Sequence, residues 1–137
     1  MKKVYLDTNI FIDFFEETRE NNQQAKQLIY FLISNDIKII FSEDMISTIA
    51  YIIKKENLDQ FAHFIKDTTL GKEFEIVSFG ASVINIACDY YHNNQGDFED
   101  YLQYFCAEKE GCCAIYTMDK NFPQIKIPVK RYGEIDI

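Results

Sequence analysis

Four aspartates occupy positions where their side chains could hold a metal ion. Asp7 follows a short apolar segment near the N-terminus, Asp119 follows another near the C-terminus, and Asp97 and Asp100 lie upstream of that second segment. Hard cations such as Mg²⁺ and Mn²⁺ prefer oxygen ligands of this kind. Such an ion can activate a water molecule and neutralise charge on a phosphodiester. These residue types therefore favour metal-dependent phosphodiester chemistry.

Each of these aspartates also has a purely structural explanation. Asp7 and Asp97 can cap helices, Asp100 can complement a helix dipole, and Asp119 can open a turn. However, several carboxylates at one place repel each other unless a cation compensates their charge. The combination therefore favours a metal site more strongly than any one residue does.

Strands and helices alternate along the chain, and this alternation determines where the aspartates should meet. Short apolar runs predict strands at 3–6, 37–41, 73–77, 114–117 and 127–131. Helical spacing and turn residues predict helices at 10–15, 23–34, 43–55, 58–68, 79–91 and 98–110. This order predicts an α/β fold with a parallel sheet and helices on both faces. Ligands bind beyond the carboxyl ends of such strands, where Asp7 and Asp119 are expected.

The predicted ends of the helices depend on a few polar residues and one glycine. Ser42, Ser78 and Asp97 are predicted N-caps, a loop is predicted at 93–96, and Gly111 is predicted to end the helix that begins after Asp97. Asp97 and Asp100 are three residues apart, so they should share one face of that helix.

Composition and charge exclude several classes of protein. The 137 residues predict a single domain, and their 47% apolar content is enough for a packed core. No apolar run approaches the length of a membrane span, so the expected location is the cytoplasm. The four cysteines form no C-x-x-C pair, and the sequence has only two histidines, His63 and His92, which argues against a zinc site. The net charge of −8 argues against passive binding of nucleic acid, unless cations lie between protein and phosphate.

Three sequence segments resemble those of a known family. VYLDTNIFID at 4–13 is similar to an opening strand with the first acidic residue, and DFEDYLQY at 97–104, followed by Ala107, is similar to an acidic helix start. IYTMDKNF at 115–122 is similar to a closing strand with a T-x-D motif. In order and spacing the chain resembles the PIN domain over nearly its whole length, and most closely the small prokaryotic members that include VapC-type toxins.

The resemblance implies a three-layer sandwich, with a central parallel sheet flanked by helices on both faces, and a metal-dependent ribonuclease activity. It assigns Asp7, Asp100 and Asp119 as catalytic residues and ligands of Mg²⁺ or Mn²⁺, with Asp97 as an accessory ligand. RNA is the implied substrate, and an antitoxin protein and a homodimer are the implied partners, as in a type II toxin–antitoxin pair. Supporting roles are expected for Thr8, Asn9, Ser42, Glu43 and Thr117.

One position departs from the family pattern. The family usually carries a Glu about six residues after a Ser like Ser42, and here that position is Thr48. Glu43 could reach the site from the start of the same helix, although a glutamate in a first turn is also favoured by the helix dipole. The departure supports an alternative function, in which a catalytically weakened PIN-like domain binds RNA or a protein partner.

A third hypothesis is a phosphatase that uses Asp7 as its nucleophile. Such enzymes normally carry an acid two residues after the nucleophile, and here that residue is Asn9. The sequence therefore favours the nuclease over the phosphatase.

Overall fold

Five short strands form one fully parallel sheet. The computed structural model describes residues 1–135 and gives the strands as β1 (Lys3–Leu6), β2 (Lys38–Ser42), β3 (Phe74–Val77), β4 (Ala114–Tyr116) and β5 (Val129–Lys130). Their spatial order is β3-β2-β1-β4-β5. From β1 the chain adds β2 and β3 on one side, and it then crosses to the other side of β1 to add β4 and β5. This reversal creates a switch point between β1 and β4, which is where open α/β sheets bind ligands.

Six helices connect these strands. They are α1 (Thr8–Phe15), α2 (Asn22–Ser34), α3 (Asp44–Ile52), α4 (Lys55–Thr68), α5 (Gly80–Asn94) and α6 (Phe98–Lys109). The α/β sandwich with a central parallel sheet, predicted from the sequence, is confirmed. Within residues 1–135, no helix is both long enough and apolar enough to cross a membrane.

Two predicted serine caps were wrong. Ser42 is the last residue of β2 and is completely buried, and its hydroxyl donates to Gln103 Oε1 at 3.1 Å. The cap position of α3 is Glu43, whose side chain makes no capping bond. Ser78 lies two residues before α5, which begins at Gly80 in the left-handed region at φ +74°. In both cases the backbone enters the helix later than the serine.

Several predicted boundaries also move, for reasons visible in the backbone. Ile53 and Lys54 are both extended, so the helix predicted to reach residue 55 ends at Ile52, and α4 begins three residues earlier than predicted. In contrast, α5 continues through part of the predicted loop and ends only where Gln95 adopts φ +58°. Gly111, at φ +73°, follows the end of α6 as expected.

A cluster of phenylalanine rings anchors α1, the helix that begins directly after Asp7. Phe11 on α1 is 1% exposed, and its ring centroid lies 4.8 Å from that of Phe41 on β2. The same ring lies 6.2 Å from Phe64 on α4. This packing holds the start of α1 against the sheet, and so holds Asp7 at the end of β1.

Truncation of this anchor should destabilise the fold. Phe11→Ala is expected to lower the free energy of unfolding by about 3–5 kcal/mol, because it removes a buried ring and leaves a cavity. Tyr30→Ala is the control, since Tyr30 is 75% exposed, and its effect should stay within about 0.5 kcal/mol. Urea denaturation followed by circular dichroism measures both. Equal losses in the two variants would contradict the assigned packing.

Candidate metal centre

Parallel pairing brings the ends of β1 and β4 level with each other. Leu6 pairs with Tyr116, and the backbone N–H of Asp7 donates to the Tyr116 carbonyl at 2.9 Å. The next residues in this register are Asp7 and Thr117. Two segments 110 residues apart in sequence therefore meet at the switch point.

Asp7 is held by three hydrogen bonds and is almost fully buried, at 7% exposure. One carboxylate oxygen accepts the backbone N–H of Thr8 at 2.8 Å, which caps α1. The other accepts the Thr117 hydroxyl at 2.7 Å and the Asn9 amide at 3.3 Å. Burial raises the pKa of Asp7, and the charge of Asp119 raises it further, while these three hydrogen bonds oppose the rise. The surroundings therefore favour an Asp7 side chain that is either protonated or paired with a cation.

Thr117 and Asn9 connect Asp7 to the segment that carries Asp119. The Thr117 oxygen donates to Asp7 and accepts the backbone N–H of Asp119 at 3.0 Å. The Asn9 amide also donates to the Thr117 oxygen at 3.3 Å, and its own oxygen accepts the N–H of Met118 at 3.1 Å. Asp119 Oδ1 accepts the N–H of Asn121 at 2.9 Å. These bonds set the position of the Asp119 loop relative to β1.

The start of α6 supplies the second group of carboxylates. Asp97 caps this helix as predicted, since its side chain accepts the backbone N–H of Asp100 at 3.2 Å. Desolvation raises the pKa of Asp100 to about 8, and the charges of Asp97, Asp7 and Asp119 add to the rise. Within residues 1–135, Asp100 Oδ2 is buried and has no hydrogen-bond partner. Asp100 thus belongs to the same electrostatic cluster as Asp7 and Asp119.

Glu99, which the sequence places beside Asp97 and Asp100 at the start of α6, also belongs to this cluster, as does Asp44, although neither was predicted as a metal ligand. Partial burial raises the pKa of Glu99, and the charges of Asp44, Asp97 and Asp7 raise it further. On a helix, Glu99 lies about 100° around the axis from Asp100, so sequence spacing does not predict that both approach Asp7. Asp44 lies in the first turn of α3, where the helix dipole alone explains an acid. Only the fold shows that these two acids are neighbours.

The remaining predicted residues have different surroundings. Ser42 contacts Gln103, and Glu43 is exposed, with its backbone N–H donating to the Val77 carbonyl at 2.7 Å. Thr48 is half-buried and lies four residues after Asp44, so it shares that face of α3. The structure therefore brings Asp44 toward the acidic cluster, while the place of the family's usual glutamate holds a hydroxyl.

The cluster consists of oxygen donors from four separate parts of the fold, namely the end of β1, the starts of α3 and α6, and the loop after β4. Among residues 1–135, no group of three or more His, Cys, Asp or Glu side chains is already arranged to hold a metal ion. The match to a hard cation therefore rests on the type of donor, on the burial and neighbouring charges that raise the pKa values of Asp7 and Asp100, and on the unpartnered Asp100 oxygen.

Comparison with known proteins gives a consistent picture. The family model described as "PIN domain" matches residues 4–128. Ribonuclease VapC1 of Aquifex aeolicus (strain VF5) is 33% identical over 130 residues, which cover 92% of this chain and 89% of that protein.

Solved structures of low sequence identity share the fold. A toxin–antitoxin complex from Klebsiella pneumoniae matches with a TM-score of 0.69 at 20% identity, covering 93% of this chain and 96% of that one. VapC20 of Mycobacterium tuberculosis, described as a sarcin–ricin loop cleaving toxin, matches with a TM-score of 0.68 at 14% identity, covering 87% and 92%. VapBC2 from Rickettsia felis, bound to a DNA fragment from its promoter, matches with a TM-score of 0.65 at 17% identity, covering 95% and 98%. With a family model that spans most of its length and acidic residues gathered at the switch point of its sheet, this chain belongs to the PIN domain family.

Proposed function

We propose that this protein is a metal-dependent ribonuclease that hydrolyses phosphodiester bonds of RNA. The observation that carries the proposal is the convergence of Asp7, Asp100 and Asp119 at the switch point, where burial and neighbouring carboxylates raise the pKa values of Asp7 and Asp100. Repulsion among these carboxylates is costly when the site is empty, and a bound cation would offset it. The 33% identity to a protein named as a ribonuclease supports the same conclusion.

In this proposal, Asp7, Asp100 and Asp119 hold Mg²⁺ or Mn²⁺, and Asp97 is an accessory ligand. The ion supplies Lewis-acid chemistry, polarising the phosphodiester and lowering the pKa of water. Thr117 and Asn9 keep the Asp7 carboxylate oriented through the hydrogen bonds to its Oδ2. No histidine is required, since both histidines are exposed, one on α4 and one on α5.

A groove beside Asp119 supports RNA as the substrate despite the net charge of −8. The groove has a volume of about 380 Å³, and its lining carries two cationic side chains, Lys120 and Arg131, beside two carboxylates, Asp119 and Glu134. The cationic side chains can attract the phosphate backbone and balance the charge of the two carboxylates. The groove therefore repels RNA less than the chain as a whole does.

We also propose that the protein acts in the cytoplasm as the toxin of a toxin–antitoxin pair, bound by an antitoxin and paired with a second copy. The structural neighbours that are toxin–antitoxin complexes support this role. Large apolar side chains are exposed around the turn between α3 and α4, where Tyr51 is 91% and Leu58 is 40% exposed. Such residues are enriched at protein interfaces.

The first prediction concerns the three proposed ligands. Wild-type protein should cleave single-stranded RNA in the presence of Mn²⁺, and Asp7→Asn, Asp100→Asn and Asp119→Asn should each lose more than about 100-fold, because loss of a direct ligand exceeds the effect of losing an outer hydrogen-bond partner. The control is Asp59→Asn on α4, whose side chain is 92% exposed. Cleavage is followed on labelled RNA in gels. Unchanged rates in the three ligand variants would contradict the site.

The second prediction concerns pH. Unfolded Asp100 releases its proton near pH 4, whereas in the fold it keeps the proton up to about pH 8. The folded state binds more protons in this window, so the free energy of unfolding should fall as pH rises through it. In metal-free protein, the melting temperature should therefore drop from about pH 5 to about pH 8 more steeply in wild type than in Asp100→Asn. Mg²⁺ added at the higher pH should restore stability. Parallel pH profiles for the two proteins would refute this assignment.

The third prediction concerns Thr48. Thr48→Glu should increase Mn²⁺ affinity and RNA cleavage severalfold, because it adds a carboxylate on the face of α3 that carries Asp44. Thr48→Gln has the same shape without the charge and should give no increase. Calorimetric titration with Mn²⁺ and the cleavage assay measure both effects. If wild type binds no Mn²⁺ and cuts no RNA, but Thr48→Glu does both, the chain is the weakened PIN domain of the alternative hypothesis.

A further inference from the structure

Gln103 is a buried polar residue directly behind the acidic cluster. It lies on α6, one turn after Asp100, and is 1% exposed. Its amide oxygen accepts two hydroxyl groups, from Tyr5 on β1 and from Ser42 on β2. Gln103 thereby connects α6 to two strands whose carboxyl ends form the edge of the site.

In the structure, these two bonds occupy the oxygen end of the amide. Both hydroxyls converge on Oε1, and both belong to fully buried side chains. The amide oxygen is therefore committed to the strands. Within residues 1–135, the amide nitrogen Nε2 is buried and has no hydrogen-bond acceptor. Leaving a buried donor unpaired costs about 1–3 kcal/mol, so such a group normally has a partner.

A complementary unpaired atom lies on the same helix face. Asp100 Oδ2 is the buried acceptor that lacks a donor, and Gln103 Nε2 is the buried donor that lacks an acceptor. Residues three apart on a helix are neighbours, with Cβ atoms about 5–6 Å apart, and Gln and Asp side chains at this spacing form hydrogen bonds directly. The structure shows no direct hydrogen bond between these two atoms, and one bridging water would span the gap.

We propose that Gln103 is a positioning residue that donates its amide N–H to the Asp100 carboxylate and holds it in place for the metal ion. This inference rests on the proposed metal site. Tyr5 and Ser42 hold the oxygen end of the amide against β1 and β2, and the nitrogen end orients Asp100. The carboxylates of α6 and β1 are thus aligned through one side chain.

A simpler role would make Gln103 only a brace between α6 and the strands. In that case its oxygen would matter and its nitrogen would not, and removing the two hydroxyls would have the same effect as removing the amide. The two roles can be separated because Tyr5→Phe and Ser42→Ala remove the partners of Oε1 and leave Nε2 in place.

The experiment compares Mn²⁺ affinity by calorimetry in Gln103→Met, Tyr5→Phe and Ser42→Ala. Methionine has a similar volume to glutamine but has no amide donor. We expect affinity to fall about tenfold in Gln103→Met, the lower end of the effect of losing a partner of a metal ligand. Tyr5→Phe and Ser42→Ala each remove one of the two bonds to Oε1 and leave the other bond and Nε2 in place, so each should lose clearly less affinity than Gln103→Met. Melting temperatures establish that each variant is folded.

A double variant tests whether the effect passes through Asp100. In the Asp100→Asn background, Gln103→Met should cause little further loss of Mn²⁺ affinity, whereas in the Asp119→Asn background it should still cause about the tenfold loss seen in the single variant. An equal loss in both backgrounds, or a loss in Tyr5→Phe and Ser42→Ala as large as in Gln103→Met, would overturn the positioning role. Unchanged affinity in Gln103→Met would overturn it as well. Absence of Mn²⁺ binding by wild type would instead reject the proposed function, and this inference with it.

Nuclear magnetic resonance of the native Gln103 side chain tests the proposal even if no Gln103 variant folds. The side-chain amide resonances of Gln103 in ¹⁵N-labelled protein should move when Mg²⁺ is titrated into wild type. They should not move in this way in Asp100→Asn at the same Mg²⁺ concentrations. An amide signal that ignores Mg²⁺ in wild type, while backbone signals of Asp100 respond, would overturn the proposal.

Discussion

Negative charge is buried at the carboxyl ends of the central strands, and the arrangement of the surrounding residues follows from this. A carboxylate loses most of its hydration on burial, and neighbouring carboxylates increase the cost. Asp7 bears both penalties, because it is nearly inaccessible and lies in the field of Asp119. The protein opposes them with donors drawn from both sides of the switch point. The Thr8 N–H, the Asn9 amide and the Thr117 hydroxyl all point at this one group.

These donors compensate the buried negative charge only in part, and what remains uncompensated would be neutralised by a cation. The donors around Asp7 leave its pKa above the usual value, and Asp100 has a buried oxygen with no donor among residues 1–135. A fold that required only stability would replace these acids with neutral residues of similar size. Retaining the charge is sensible when a cation completes the coordination. In that case the uncompensated charge exists only while no cation is bound.

The sequence was sufficient to predict the layout, but not the polar network behind the site. Alternating apolar runs predicted parallel strands, and ligands bind beyond the carboxyl ends of such strands, so Asp7 and Asp119 could be expected at one edge of the sheet. The strand order that places β1 beside β4, and so creates the switch point, is visible only in the fold. The role of Asp97 as a cap was also visible from its spacing to the helix. Ser42 was misassigned because a serine before a helix usually caps it, whereas here β2 runs one residue further into the core.

The roles of Gln103 and Glu99 were not predicted because they depend on contacts between residues far apart in sequence. Gln103 resembles any residue inside an amphipathic helix until the fold places it against Tyr5 and Ser42, 98 and 61 residues away. Likewise, the proximity of Glu99 to Asp44 could not be predicted from the sequence, because it depends on the packing of α3 near α6. Local patterns contain no information about such pairs. They depend on strand register and helix packing, which are set by the whole core.

The distribution of acids between α3 and α6 connects these observations with the Thr48 departure. In the family pattern α3 supplies a glutamate, but here the corresponding face carries the exposed Asp44 and the half-buried Thr48, and the first turn of α6 carries Glu99 and Asp100 after the Asp97 cap. Half of the acids in the cluster therefore lie at the start of α6. This helix must be held accurately against β1, since a small shift moves all of its acids together. The buried amide of Gln103, one turn along the same helix, lies where such a restraint is most effective.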